Sequence, residues 1–311
     1  MEFIIFIAAM AALIYGAGFV VKESERIAFH FRIPHFVIGA TLIAFGTSLP
    51  EMAASMMASY KGTSDMAVAN VVGSVIFNIT LILGAVFLLA PALKPERDLF
   101  AKDSAWVLIP VVIFLVMIQD GVIGRFDGLL FLLLMAAYLV FLFTSSKEDL
   151  VGELDETLVK ESFGWGKTVS LLAIGFILTI GGAHFVIESG TSIAGRFGVS
   201  EWIIGLLMIS LGTSLPELVV SLVAIRKGNA DMSIGNIIGS NVANFSMVLG
   251  AASLVSPLPV DITLSLFDIM IMVAASFALL LILSNKLYNR AGAVILFILL
   301  ALFFQNSLAS L

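Results

Sequence analysis

The chain contains no cysteine, which excludes disulfides and thiolate metal sites. It has only three histidines, with no His–His pair at helical spacing, so no zinc site is expected. Charge is scarce. Only 12% of residues are Asp, Glu, Lys or Arg, about half the share of a soluble domain. No Lys or Arg precedes the first apolar run. That run, roughly residues 3–21, is too long for the core of a secretory signal and is expected to stay as a membrane span. Nothing in the composition points to nucleic acid, and no cofactor is expected. What the chain does have is apolar sequence: 60% of its 311 residues are hydrophobic, with a mean hydropathy of +1.11. The runs lack the period-2 alternation of a transmembrane barrel. They fit membrane helices of about 20 residues.

Ten helices are expected, at roughly 3–21, 34–60, 66–90, 104–119, 126–144, 168–187, 201–225, 231–255, 262–284 and 290–308. Pro34, Pro91, Pro95, Pro257 and Pro259 fall at their ends, where proline is tolerated. Pro50 and Pro216 instead fall inside long apolar segments. One stretch is strongly polar. Residues 146–166 carry six acids against Lys147 and Lys160 and read as a solvated linker. Thirteen of the 16 basic residues lie after helices 1, 3, 5, 7 and 9; only Lys61, Arg125 and Arg196 lie on the other side. The positive-inside rule then places both termini outside the cell and the acidic linker in the cytoplasm.

An internal repeat organises the chain. Residues 39–84 align without a gap on residues 205–250, an offset of 166, with 20 of 46 positions identical. The expected architecture is therefore an all-α membrane protein of two five-helix halves, residues 1–145 and 167–311, joined by the linker at 146–166. Five is odd, so the second half enters the membrane inverted. Inverted repeats of this kind mark secondary transporters that bind substrate near the midplane.

Each repeat carries Gly-Thr-Ser-Leu-Pro-Glu, at 46–51 and at 212–217. Pro50 has no N–H for the carbonyl of Gly46, and Pro216 has none for that of Gly212. Such carbonyls are tolerable in a membrane only where protein buries them or a cavity receives them. Glu51 and Glu217 are the most deeply placed acids. An acid at the bilayer centre costs roughly 3 kcal/mol on the mildest scale. Thr47 and Ser48 share a helix face with Glu51, as Thr213 and Ser214 do with Glu217. Ser74 and Asn78, then Ser240 and Asn244, are i, i+4 pairs further along each repeat. The sum is a set of oxygen donors without sulfur or imidazole, suited to hard cations such as Ca2+ or Na+. Helix packing alone explains Ser55 and Ser221; it does not explain two glutamates. Asp65 and Asp231 read as helix-start acids, as do Asn70 and Asn236. His30, His35 and His184 are placed near helix ends without partners.

The doubled GTSLPE motif, each copy followed by NxxGSxxxN, closely resembles the alpha repeats of the sodium/calcium exchanger family, within the cation/Ca2+ antiporter superfamily, in its compact prokaryotic form. The resemblance covers essentially the whole chain. It implies Glu51 and Glu217 as calcium ligands, with backbone oxygens of Thr47 and Thr213. It implies sodium ligands from the Ala44 carbonyl, Thr47, Ser48, Glu51 and Ser74, and from the Ser210 carbonyl, Thr213, Ser214, Glu217 and Ser240. Asn78 and Asn244 would line the centre. Some relatives carry Asp where Asn244 stands, and that Asp is associated with potassium-dependent members; Asn weakens the case for potassium co-transport. The resemblance further implies about three Na+ per Ca2+, alternating access in which helices 1 and 6 slide over a core of helices 2, 3, 7 and 8, and a chain working as a monomer in the bilayer of the cell membrane.

A Ca2+/H+ antiporter is the nearest rival, although its relatives usually carry a different motif before the acid. A cation channel fits inverted halves with broken helices less well. An enzyme is not expected: an intramembrane aspartyl protease needs two apposed aspartates, and here the paired acids are glutamates. The topology is open to direct test, because the chain is free of cysteine. Ser146→Cys and Ser310→Cys, made singly, should label from opposite sides of the membrane; labelling of both from one side would sink the inverted arrangement.

Overall fold

The computed structural model describes residues 2–90, 95–145, 163–196 and 212–309. Within them the protein is helical. In chain order the helices are α1 (Glu2–Phe31), α2 (His35–Thr47), α3 (Leu49–Tyr60), α4 (Ser64–Leu89), α5 (Leu99–Met117), α6 (Arg125–Ser145), α7 (Trp165–Arg196), α8 (Leu215–Arg226), α9 (Ala230–Val255), α10 (Ile262–Ser284) and α11 (Arg290–Ala309). Seven of them are long and apolar enough to cross a membrane, and α2 with α3 forms an eighth, bent span. α11 contains a shorter apolar stretch. A two-residue antiparallel pair, Val122–Ile123 with Leu258–Pro259, ties the α5–α6 turn to the α9–α10 turn.

Most expected boundaries lie within a few residues of the observed ones, and 262–284 coincides. α1 runs ten residues beyond its expected end because Lys22, Glu23, Glu25 and Arg26 continue the helix instead of ending it. α7 likewise runs to Arg196, so His184 sits well inside a helix and not near its end. It also has a neighbour: Glu188, one turn on, lies 3.9 Å away. His30 is stacked on Phe163 at 3.9 Å. The segment expected at 34–60 is broken at Ser48, whose φ/ψ of −85°/5° leaves the helical region, and α3 leaves α2 at 44°. Pro50 takes the second position of α3, where a missing N–H is least costly. α8 begins in the same way at Leu215 with Pro216 second, after Ser214 at −86°/2°. Pro110 lies inside α5. The first part of the helix expected at 201–225, with Ser210, falls outside the described residues.

The two halves agree in detail. α3 and α8, and α4 and α9, begin and end at positions 166 apart. Both α4 and α9 contain a six-residue π-helical segment, Asn78–Leu83 and Asn244–Leu249, again at that offset. π-turns widen a helix locally and recur at functional sites; each here begins at an asparagine of the motif.

Close approach of backbones holds the centre together. α2 packs across α9, where a Cβ on Gly39 would overlap the Met232 carbonyl and one on Gly235 or Gly239 the carbonyls of Phe36 or Ala40. α1 and α7 pack along each other through Gly16, Gly175 and Gly182, the small-residue contact that replaces hydrophobic driving force in lipid. Their far ends are tied by Arg196 and Ser192, which donate to Glu2 at 2.7 Å each. α6 lies on the last turns of α9, and α11 on the last turns of α4. Aromatic side chains such as Phe77, Phe114 and Phe245 fill the interior. Large apolar residues face outward, among them Ile4, Ile7, Phe126 and Leu133, as expected of a surface bathed by lipid and not water. One ion pair is buried: Arg97 holds Asp103 at 2.6 Å and lies over the Phe36 ring. Asp231 stands in the first turn of α9, but its carboxylate accepts from the backbone N–H groups of Glu96 and Arg97. It thus pins a neighbouring loop as well as opposing its own helix dipole.

Candidate cation site

The breaks at Ser48 and Ser214 and the π-turns at Asn78 and Asn244 converge on one buried locus. Glu51 and Glu217 are each 1% exposed, and they lie close enough to repel one another electrostatically. Around them Thr47, Ser48, Ser74, Asn78, Ser214, Ser240 and Asn244 are all buried, and Thr213 is half-buried. These side chains come from α2, α3, α4, α8 and α9 and from the breaks between them. The structure buries the described residues expected at the site, with Thr213 half-buried. Ser210 lies outside the described residues.

The two halves interlock. Ser48 donates to Glu217 Oε1 at 3.3 Å, and the hydroxyls of Thr213 and Thr47 reach the carboxylates of Glu51 and Glu217. The Ala44 carbonyl accepts the Ser48 N–H at 3.0 Å and the Thr47 hydroxyl at 3.3 Å. Asn78 Nδ2 donates to Asn241 Oδ1 at 3.0 Å. Asn241 was not expected at the site; it breaks the repeat, since Val75 stands at the matching position, and the duplication therefore gave no signal for it. Asn70 and Asn236, expected as helix-start residues, instead lie a turn and a half inside α4 and α9 and bond toward the site: Asn70 to Ser55 at 2.9 Å, Asn236 to Ser221 at 3.0 Å. Ser55 and Ser221 are thus hydrogen-bond partners as well as small packing residues. A cleft lined by Phe45, Leu49, Met52 and Met247 reaches Ser48.

What the locus can do follows from its unused atoms. Glu51 Oε2, Glu217 Oε2, Asn78 Oδ1, Asn244 Oδ1, Ser214 Oγ and Ser240 Oγ are buried and have no hydrogen-bond partner in the protein. A buried polar atom left unpaired costs about 1–3 kcal/mol. Six of the ten such atoms among the described residues fall on the repeated motif positions. All six are oxygens, and four are carbonyl or carboxylate acceptors, so the set offers lone pairs to a donor or to a cation. This oxygen-only donor set fits a hard cation.

These features define a multi-span membrane protein of two similar halves with buried carboxylates and neutral oxygens on the repeated motif. Comparison with known proteins narrows the class. The model of the sodium/calcium exchanger protein family matches residues 1–144 and 167–308. The sodium/calcium exchanger MaX1 of Methanosarcina acetivorans is 30% identical over 91% of this chain and 91% of its own length. The inner membrane protein YrbG of Escherichia coli K12 is 34% identical over 88% of each chain. The structure of the sodium-calcium exchanger NCX_Mj soaked with Na+ and Sr2+ superposes with a TM-score of 0.82 at 30% identity, covering 100% of both chains. The chain belongs to the sodium/calcium exchanger family, whose members are membrane transporters of Na+ and Ca2+.

If the two carboxylates are the anionic ligands, Glu51→Gln and Glu217→Gln should each abolish calcium uptake into proteoliposomes while the protein stays folded by size-exclusion chromatography. Removing a costly buried charge is expected to leave stability unchanged or raised. Near-normal uptake by either variant would refute the site.

Proposed function

We propose that the protein exchanges about three Na+ for one Ca2+ across the cell membrane by alternating access. The observation that carries this reading is the six unpaired oxygens around two buried carboxylates. The ligands are those expected from the sequence: Glu51 and Glu217 with Thr47 and Thr213 for calcium, and the wider set from Ala44 to Ser74 and from Ser210 to Ser240 for sodium. The fold is two inverted five-helix repeats, ten spans in all, with both termini outside. The helices at 201–225 and 290–308 complete the count. MaX1 and NCX_Mj, both named as sodium/calcium exchangers, support sodium as the counter-ion over protons.

The moving part is the α1–α7 pair. Its glycine contacts and the Glu2–Arg196 tie make it one body. It lies asymmetrically on the core: α1 packs along α8, whereas α7 makes no comparable contact with α3. Lys227 Nζ donates to the Gly18 carbonyl at 3.0 Å, and Asn229 Nδ2 to Glu25 Oε1 at 2.5 Å. With Arg226 and Lys227 on the cytoplasmic side, these contacts hold the pair to the core there. Sliding of the pair along its axis would break them.

Charge counting gives the electrical consequence. The centre carries two carboxylates and otherwise neutral ligands, because positions 78 and 244 are both Asn. One Ca2+ neutralises it; three Na+ leave it at +1. Each cycle then moves one net positive charge in the sodium direction, for which 100 mV contributes about 2.3 kcal/mol. Calcium uptake into proteoliposomes should therefore require internal sodium and not internal acid. It should speed up when the interior of the vesicle is clamped positive with potassium and valinomycin. Uptake driven by internal acid alone would favour Ca2+/H+ exchange, and an exchange equilibrium that does not shift with membrane potential would mean two sodium ions per cycle.

A further inference from the structure

Asn70 and Asn236 each bond to their own half on one side and face the other half on the opposite side. The amide orientation of Asn70 is fixed, because its Nδ2 meets the Glu51 backbone carbonyl at 3.4 Å as well as Ser55 Oγ at 2.9 Å, and a carbonyl only accepts. Its Oδ1 is therefore free to face Thr213 of the second half, at 3.4 Å. Asn236 repeats the pattern: Nδ2 on Ser221 Oγ at 3.0 Å, Oδ1 toward Thr47 of the first half at 3.4 Å. Both serine anchors are fully buried, and so is Asn236. Each asparagine thus spans the two halves, and the pairing is swapped.

The chemistry of a hydroxyl ligand gives this arrangement a purpose. A threonine hydroxyl has one proton and two lone pairs. It can offer a lone pair to a cation only if its proton points elsewhere. Among the described residues, Thr213 donates to Asn70 Oδ1 at 3.4 Å and lies near the Glu51 carboxylate, a competing acceptor. Donation to Glu51 would spend the proton on the very carboxylate that must face the ion. Thr47 stands likewise between Glu217 and Asn236, with the carbonyls of Ile43 at 3.1 Å and Ala44 at 3.3 Å as further acceptors that also turn its proton from the carboxylate.

We propose that Asn70 and Asn236 are positioning residues that draw the hydroxyl protons of Thr213 and Thr47 away from the carboxylates, so that both hydroxyl oxygens and both carboxylates are presented to the transported cations. Because each amide crosses between the halves, each also couples ligand geometry in one repeat to the backbone of the other. The proposal rests on the reading of this locus as the transport site.

The test is a set of double-mutant cycles in proteoliposomes, read as the half-saturating sodium concentration for calcium exchange and, separately, the maximal rate. Asn70→Ala should raise half-saturation by about fivefold, the worth of one hydrogen bond of about 1 kcal/mol, with the maximal rate little changed. The coupling should follow the swapped pairing. Adding Asn70→Ala to Thr213→Val should have no further effect, because the proton to be oriented is gone; adding it to Thr47→Val should multiply the two losses. Asn236→Ala should do the reverse, silent with Thr47→Val and multiplicative with Thr213→Val. A merely structural asparagine would show no such partner preference. Asn70→Ser, too short to reach Thr213, carries the test where the alanine variant fails to purify, and its loss should show the same partner preference. Cycles that multiply with both threonines alike would overturn the proposal. A wild-type protein without sodium-driven calcium uptake would instead overturn the exchange reading itself.

Discussion

Two carboxylates buried side by side inside an apolar bundle are the constraint on which the rest of this structure depends. Glu51 and Glu217 come from opposite halves of the chain, and each is almost wholly removed from solvent. Taking even one carboxylate out of water carries a penalty of several kcal/mol, and placing a second beside it adds repulsion. The fold keeps both by surrounding them with oxygens that a cation can use and by leaving several of those oxygens without a protein partner. Stability is thereby given up at the centre in a way that a bound cation would restore, which is the condition a carrier needs if ion binding is to select among its conformations.

The backbone is shaped to serve that centre. Proline and glycine break the helices at Ser48 and Ser214, so that carbonyls and the first turns of α3 and α8 come together there. The π-turns that start at Asn78 and Asn244 widen α4 and α9 at the same level. Glycines at 39, 235 and 239 let α2 and α9 cross in backbone contact, and the two halves can share ligands as a result. The peripheral pair α1 and α7 is bound tightly within itself and more lightly to the core. A rigid body on a lightly held interface is the usual means by which access to a fixed site is switched.

Much of this was legible in the sequence because duplication printed it twice. The motif at 46–51 and 212–217 and the positions 74, 78, 240 and 244 were expected together, and the structure buries Thr47, Ser48, Glu51, Ser74, Asn78, Ser214, Glu217, Ser240 and Asn244. The long apolar helices were legible from hydropathy alone. Less was legible where polar residues stay helical: α1 runs to Phe31 through Lys22, Glu23, Glu25 and Arg26, where Glu23 pairs with Arg26 one turn on and Glu25 accepts from Asn229. The break at Ser48 was legible as a weak point and not as a 44° bend. Asn70 and Asn236 were visible as repeated residues, but their roles depend on contacts 143 and 189 residues away, which no local pattern encodes. Asn241, unmatched in the first half, could be found only from its bond to Asn78. Asp231 looked like a simple helix-start acid, and its grip on Glu96 and Arg97 likewise needed the folded chain.

The central claim is that one divalent cation is shared by two carboxylates contributed by opposite halves. Anomalous diffraction from crystals soaked in Sr2+ tests it most directly. The account predicts one strong peak between Glu51 and Glu217, roughly 2.5 Å from oxygens of both, and its loss in crystals of Glu51→Gln. A peak bound by one half alone, or one that persists unchanged in that variant, would contradict it.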